Sequence, residues 1–164
     1  MGPISAKAAI DVPRERVFEL LMDLSARPSF TDHLMEDFHL LRIEPVGVGA
    51  GARFRIRDAG WVDSVIEEAD PPHRLVERGR GGYLNRIPNV IEWLLADAGP
   101  DGCEVQVTFW TEPERIADKV RDAKASERRL GKGLKKALER LRDVAESGEP
   151  PERIAVAGGD RLGA

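Results

Sequence analysis

The chain has 164 residues, 41% of them hydrophobic, and its 25 Lys or Arg against 29 Asp or Glu give a net charge of −4. That length and apolar content suit one domain with a buried core, and the acidic balance argues against nucleic acid as a partner. A single cysteine, Cys103, leaves neither an internal disulfide nor a cysteine-based zinc site. No apolar run approaches ~18–20 residues and the start of the chain has no signal-peptide core, so a cytoplasmic protein without stable membrane insertion is expected.

Taken in order, residues 4–10 (ISAKAAI) read as a short strand. Asp11 is placed to cap a helix with Pro13 in its first turn and Glu15 near the positive end of its dipole. Val17, Phe18, Leu21 and Leu24 then recur at helical spacing to about Ser25, and Pro28 biases its predecessor away from the α region. Residues 29–35 (SFTDHLM) read as a second short helix.

From Phe38 the period changes to two. FHLLRIEPV, ARFRIRD, WVDSVIEEA, HRLVERGR, IPNVIEWLLAD and CEVQVTFWT are six strands, separated by glycines 47, 49 and 51, by Asp70-Pro71-Pro72, by Gly81-Gly82 and by Gly99-Pro100-Asp101-Gly102. Ala52, Phe54 and Ile56 alternate with Arg53, Arg55 and Arg57, so one face of that strand is buried and its arginines point to solvent. Cys103, Val105, Val107 and Phe109 alternate in the same way, which predicts a buried, inert thiol. The short connections imply an antiparallel meander.

Thr111 with Glu114 has the spacing of a capping box and opens a long helical pattern to about residue 146. Ile116, Val120, Ala123, Leu130, Leu134, Leu138, Leu141 and Ala145 form one narrow stripe on it. Between residues 115 and 142 eleven Lys or Arg stand against four Asp or Glu, a net of +7 in a chain of −4, so the remainder carries −11. At ~1.5 Å per residue the whole pattern would run roughly 45 Å, which predicts a break or a separate short helix before about Lys124. Glu127 falls inside the stripe, and Gly131 with Gly133 interrupts good helix formers at about 1 kcal/mol each against alanine, so close approach or space is wanted there. After Gly148 the periodicity is lost; residues 147–164 read as a loosely attached or disordered tail, with Ile154 and Val156 able to hook onto the body.

Particular stretches carry a resemblance. They are Ala9-Ile10-Asp11-Val12-Pro13 before Val17-Phe18, Pro28 with Phe30, and Val65-Ile66-Glu67-Glu68-Ala69-Asp70-Pro71-Pro72 before His73-Arg74-Leu75. Glu92-Trp93-Leu94 with Gly102 and Val105, and Gly133-Leu134-Lys135-Lys136-Ala137-Leu138-Glu139, complete the set. With the element order, these resemble the polyketide cyclase/dehydrase branch of the START-like (SRPBCC) superfamily over about residues 3–146, within a domain read as residues 1–146. The resemblance implies an α+β helix-grip fold: a curved seven-stranded antiparallel sheet wrapped around a long C-terminal helix, with two short helices after the first strand. It also implies a cavity between the inner face of the sheet and the helix stripe, without a shared catalytic set and without a cofactor. Phe30, Phe54, Trp61, Asn89, Trp93, Phe109, Glu127, Gly131 and Leu134 are the ligand-binding candidates. Asn89 and Glu127 matter most among them, because a buried polar group without a partner is costly.

The glycines at 47, 49 and 51 lead into a strand and lack a Lys-Ser/Thr pair, so they make a hairpin turn rather than a phosphate loop. Gly131-Lys132-Gly133 lies inside a helix pattern, and Arg78-Gly79-Arg80-Gly81-Gly82 reads as a turn rather than an RNA-binding box. His33, His39 and His73 show no ligand spacing, so no metal is expected; His33 is either an acid or base at the cavity mouth or a satisfied side chain. The favoured function is binding of a small hydrophobic, lipid- or polyketide-like molecule by a monomer or homodimer. The enzymatic alternative, a polyketide cyclase/dehydratase, would draw on Glu127, His33 and an arginine, yet Arg53, Arg55 and Arg57 face the wrong way and no catalytic set is recognisable. A third reading uses the basic helix to bind a partner protein.

Overall fold

The computed structural model describes residues 2–57, 60–112 and 125–155. β1 (Ile4–Ile10) is followed by α1 (Arg14–Met22), the one-turn α2 (Pro28–Thr31), β2 (Met35–Leu40), β3 (Gly51–Ile56), β4 (Gly60–Asp70) and β5 (Arg74–Gly81). A short 3-10 turn (Tyr83–Asn85), β6 (Ile87–Asp97), β7 (Cys103–Thr111) and α3 (Ala125–Ser147) complete the described chain. The strands form one antiparallel sheet in the order β1-β7-β6-β5-β4-β3-β2, the seven-stranded helix-grip arrangement that the family resemblance implies.

Strand parity decides which side chains face α3. Ala52, Phe54 and Ile56 of β3, Val62, Ser64 and Ile66 of β4, Asn89, Ile91, Trp93 and Leu95 of β6, and Cys103, Val105, Val107 and Phe109 of β7 are all buried. The stripe of α3 meets them with Leu130, Leu134, Ala137, Leu138, Leu141 and Ala145, each at most 6% exposed. Burying a Leu or Ile side chain is worth roughly 1.5–3 kcal/mol, so this seam holds the sheet and helix together. Arg53, Arg55 and Arg57 point outward to Asp63, Glu36 and Asp37, as their alternation requires.

Several local expectations change where tertiary contacts override the local pattern. α1 begins after Pro13 and no side chain caps it; Asp11 lies too far upstream, and its backbone N–H donates instead to Glu146 Oε1 at 2.8 Å. α1 ends at Met22 rather than near Ser25, because Asp23 turns extended and bridges Val46, while Leu24 N–H donates to the Pro45 carbonyl. The second helix is one turn long, and β2 starts at Met35 instead of Phe38, accommodated by a bulge in which Asp37 adopts φ +50°. Ile154 does hook onto the body: its N–H donates to the Ser25 carbonyl, and Arg153 reaches Asp23 at 2.8 Å. The capping box of Thr111 and Glu114, the stripe positions Ile116, Val120 and Ala123, the break before Lys124, and Val156 lie outside the described residues.

Arg78-Gly79-Arg80-Gly81 is strand rather than turn, with Gly79 paired to Ser64. A Cβ on Gly79 would stand 1.7 Å from the Asp63 carbonyl oxygen, and backbone cannot yield as a side-chain tip can. Gly79→Ala is therefore expected to disrupt the β4–β5 ladder and lower the melting temperature clearly. Gly131→Ala is its opposite, because the new methyl would meet only Ile4 Cγ2 at 3.5 Å and helix propensity would add up to about 1 kcal/mol. Thermal melts of the two variants check both signs.

Candidate ligand-binding site

Where the first half of α3 crosses the concave face, packing leaves a small cavity. Ile91 and Trp93 of β6, Val107 and Phe109 of β7, and Ile56 of β3 form its floor; Leu130, Leu134 and Ala137 of α3 form its roof. Thr31, Leu34 and Met35, from α2 and the start of β2, close its side. The lining is apolar apart from Thr31, whose hydroxyl is spent as a donor to the Arg27 carbonyl at 2.9 Å. The free volume is about 10 Å³, at the limit of what one water fills, and an apolar space of that kind stays dry. Drug-sized ligands need roughly 300–1,000 Å³. Among the described residues this part of the seam is closed to a molecule of that size, and a ligand entering at this point must part it.

The side of the seam is held by three contacts. His33 Nε2 lies 3.0 Å from the Gly133 carbonyl, and since a carbonyl only accepts, Nε2–H is the donor. Leu34 Cδ1 occupies the notch left by Gly133, 2.7 Å from where a Cβ would be. Asp32 pairs with Arg140. His33 therefore ties the turn after α2 to α3, and its Nδ1 is buried without a hydrogen-bond partner.

Beneath the cavity lies a buried ion pair that sequence reasoning missed. Arg27 and Glu77 are 1% and 2% exposed, with Arg27 Nη2 at 2.8 Å from Glu77 Oε1. The same oxygen accepts from Trp93 Nε1–H at 3.0 Å, and Oε2 accepts from the Ser64 hydroxyl at 3.0 Å. Arg27 also donates to the Leu21 carbonyl at 2.9 Å, and its guanidinium stands 5.1 Å from the Trp93 ring and 5.7 Å from Phe30. Burial of two charges is tolerable only with this degree of hydrogen bonding. Its consequence for the site is geometric, because the pair fixes the indole that forms part of the cavity floor.

With this geometry a family model for "Polyketide cyclase / dehydrase and lipid transport" matches residues 1–146. The chain belongs to that family. Among solved structures it is similar to a protein from Thermus thermophilus, with a TM-score of 0.65 and 18% identity over 91% of this chain and 100% of that one. Norcoclaurine synthase from Thalictrum flavum, solved with dopamine and hydroxybenzaldehyde, has a TM-score of 0.65 and 12% identity over 91% and 88% of the two chains. DynU16, a protein of the dynemicin biosynthetic locus, has a TM-score of 0.60 and 19% identity over 93% of this chain; the present chain spans only 49% of its length. At these identities the likeness is one of fold. No curated protein matches the chain.

In this member of the family the sequence candidates separate. Trp93, Phe109 and Leu134 line the cavity. Phe30 and Phe54 are buried but are not among its lining residues, Phe30 lying against Arg27 and Phe54 stacked on Phe38 at 5.7 Å. Trp61 is a correction: Val62, Ser64 and Ile66 take the inward positions of β4, so Trp61 faces outward, 39% exposed, beside Arg53 and His39. Gly131 faces Ile4 of β1 rather than the cavity. Glu127 is partly exposed in the first turn of α3 and is not among the residues lining this cavity. Asn89 is buried on the concave face, one inward position beyond Ile91, and neither of its amide atoms has a hydrogen-bond partner. Cys103 is buried, and burial, reinforced by Glu15 and Asp97, pushes its thiol pKa up, away from reactivity. Among the described residues no helix is long and apolar enough to cross a membrane, and no three His, Cys, Asp or Glu stand together as a metal site.

Proposed function

We propose that this protein binds a small, largely apolar molecule, lipid- or polyketide-like, between the concave face of the sheet and α3. The dry cavity floored by Trp93 and Phe109 and roofed by Leu130 and Leu134 carries this reading, because it is a place between the two layers where packing is incomplete. A ligand entering there would replace imperfect packing with contacts at every wall, while the rest of the core stays undisturbed. The titratable groups around the seam favour binding over catalysis: Glu77 is engaged by Arg27, Trp93 and Ser64, and His33 Nε2 by a helix carbonyl. That norcoclaurine synthase, similar in fold, was solved with dopamine and hydroxybenzaldehyde supports a small ring-containing ligand.

Nile red, a neutral dye that brightens in apolar surroundings, should bind the folded protein saturably at about one per chain. Naphthalene or longer polycyclic molecules should displace it. Trp93→Ala, which removes part of the floor, should alter the dye affinity several-fold. A folded protein with no saturable dye binding would overturn the proposal and favour partner binding through the basic helix.

A further inference from the structure

Among the described residues, the least explained group is Asn89. It is 2% exposed, and both Oδ1 and Nδ2 lack a hydrogen-bond partner. A buried amide left in that state destabilises the fold, whereas an aliphatic side chain of similar size would not. Asn89 lies on the same strand face as Ile91 and Trp93 of the cavity floor, and alternate residues of a strand are roughly 7 Å apart. Its partner in β5 is Gly79, its partner in β7 is Thr111, and a Cβ on Gly81 would stand 3.6 Å from its Nδ2. The amide therefore sits beside a shelf with no side chains on the β5 side, at one end of the seam.

Resting on the binding function proposed above, we infer that Asn89 is the specificity residue of the site and selects a ligand with an uncharged head group that offers a hydrogen-bond donor beside an acceptor. A carboxamide side chain presents one N–H edge and one C=O edge, so its complement is another carboxamide, a lactam or imide, or a hydroxyl next to a carbonyl. A charged head is disfavoured. The buried cation of this core, Arg27, is matched by Glu77 at 2.8 Å, and the cross-strand partners of Asn89 carry no charge. Among the described residues, an anion at Asn89 would therefore be desolvated without a buried counter-charge to meet it. The apolar body of the ligand would then extend from Asn89 past Ile91 toward Trp93 and Phe109.

Three probes with one ring system separate the head group from the body: naphthalene, 2-naphthamide and 2-naphthoate, each measured at neutral pH by displacement of Nile red from the full chain. The expected order in the wild type is naphthamide about tenfold or more tighter than naphthalene, with naphthoate weakest, a tenfold ratio being one good hydrogen bond's worth of discrimination. In Asn89→Leu the naphthamide preference should vanish, naphthalene should bind at least as well, and the melting temperature should hold or rise. If naphthalene binds without any preference for the amide, or if naphthoate binds tightest, the head-group inference falls and the binding function stands. If Asn89→Leu keeps the amide preference, another residue reads the head group and Asn89 is not the determinant. If none of the three displaces a dye that itself binds saturably, the head-group inference falls and the binding function stands; only without saturable dye binding do both fall together. The wild-type order alone decides the head-group class should the variant not fold.

Discussion

Glu77→Leu should lower stability by about 3–5 kcal/mol, the cost of leaving a buried charge without its partner. Arg27 is 1% exposed and would lose the carboxylate 2.8 Å away, while Trp93 Nε1–H and the Ser64 hydroxyl would lose their acceptor in the same step. The Leu21 carbonyl still accepts from Arg27, but one neutral acceptor does not balance a desolvated guanidinium. Urea or thermal unfolding would show this as a drop in melting temperature on the order of 10 °C for a domain of this size. The double variant Arg27→Met with Glu77→Leu should recover most of the loss, because an apolar pair of similar volume is often no worse than a buried ion pair. Additive losses in the double variant would mean that the two residues act separately. Recovery of stability need not recover function: without Glu77 nothing fixes the Trp93 indole, so dye affinity should stay altered in the double variant even where its midpoint approaches that of the wild type.

That pair also shows why some of the site was illegible in the sequence. Arg27 stands before Pro28 in a stretch read as a connection, and Glu77 lies fifty residues on, beside Val76 in a short strand. Leu75, Glu77 and Gly79 share the inward parity of β5, but Val76 is also buried, on the other face, so the alternation that would have marked Glu77 as internal is blurred. Trp61 failed for a related reason. A tryptophan at the start of a strand reads as core until the parity of Val62, Ser64 and Ile66 is taken as the stronger signal. The β3 alternation, the β7 alternation and the α3 stripe were legible because each repeats one period with apolar residues on one face only. Asn89 was legible as an oddity, a polar residue at an inward position. That it would be left without a partner is a property of the folded neighbourhood, set by the glycines of β5. The shift of β2 to Met35 depends on a bulge that no periodicity announces.

Leu141→Asp should leave the domain largely unfolded. Leu141 is fully buried on α3, one turn from Leu138, which is fully buried as well, and the seam around them is continuous apolar surface from β1, β7 and α1. The substitution forfeits roughly 1.5–3 kcal/mol of apolar burial and adds a carboxylate to an apolar seam, at several kcal/mol more. Against a total stability that for domains of this kind is about 5–15 kcal/mol, that is most or all of it. Lys136→Asp places the same carboxylate on the exposed side of the same helix and should stay within about 0.5 kcal/mol of wild type. Leu134→Asp should fall between the two, because Leu134 borders the cavity, where the packing already leaves free space and the turn around Gly133 can open to admit water. Far-ultraviolet circular dichroism with urea titration ranks the three variants. An Asp at 141 tolerated as well as one at 136 would place the stripe in solvent and undo the sheet–helix seam. A variant at 134 that stayed folded and bound more dye than the wild type would instead identify the Gly133 end of α3 as the part of the seam that opens.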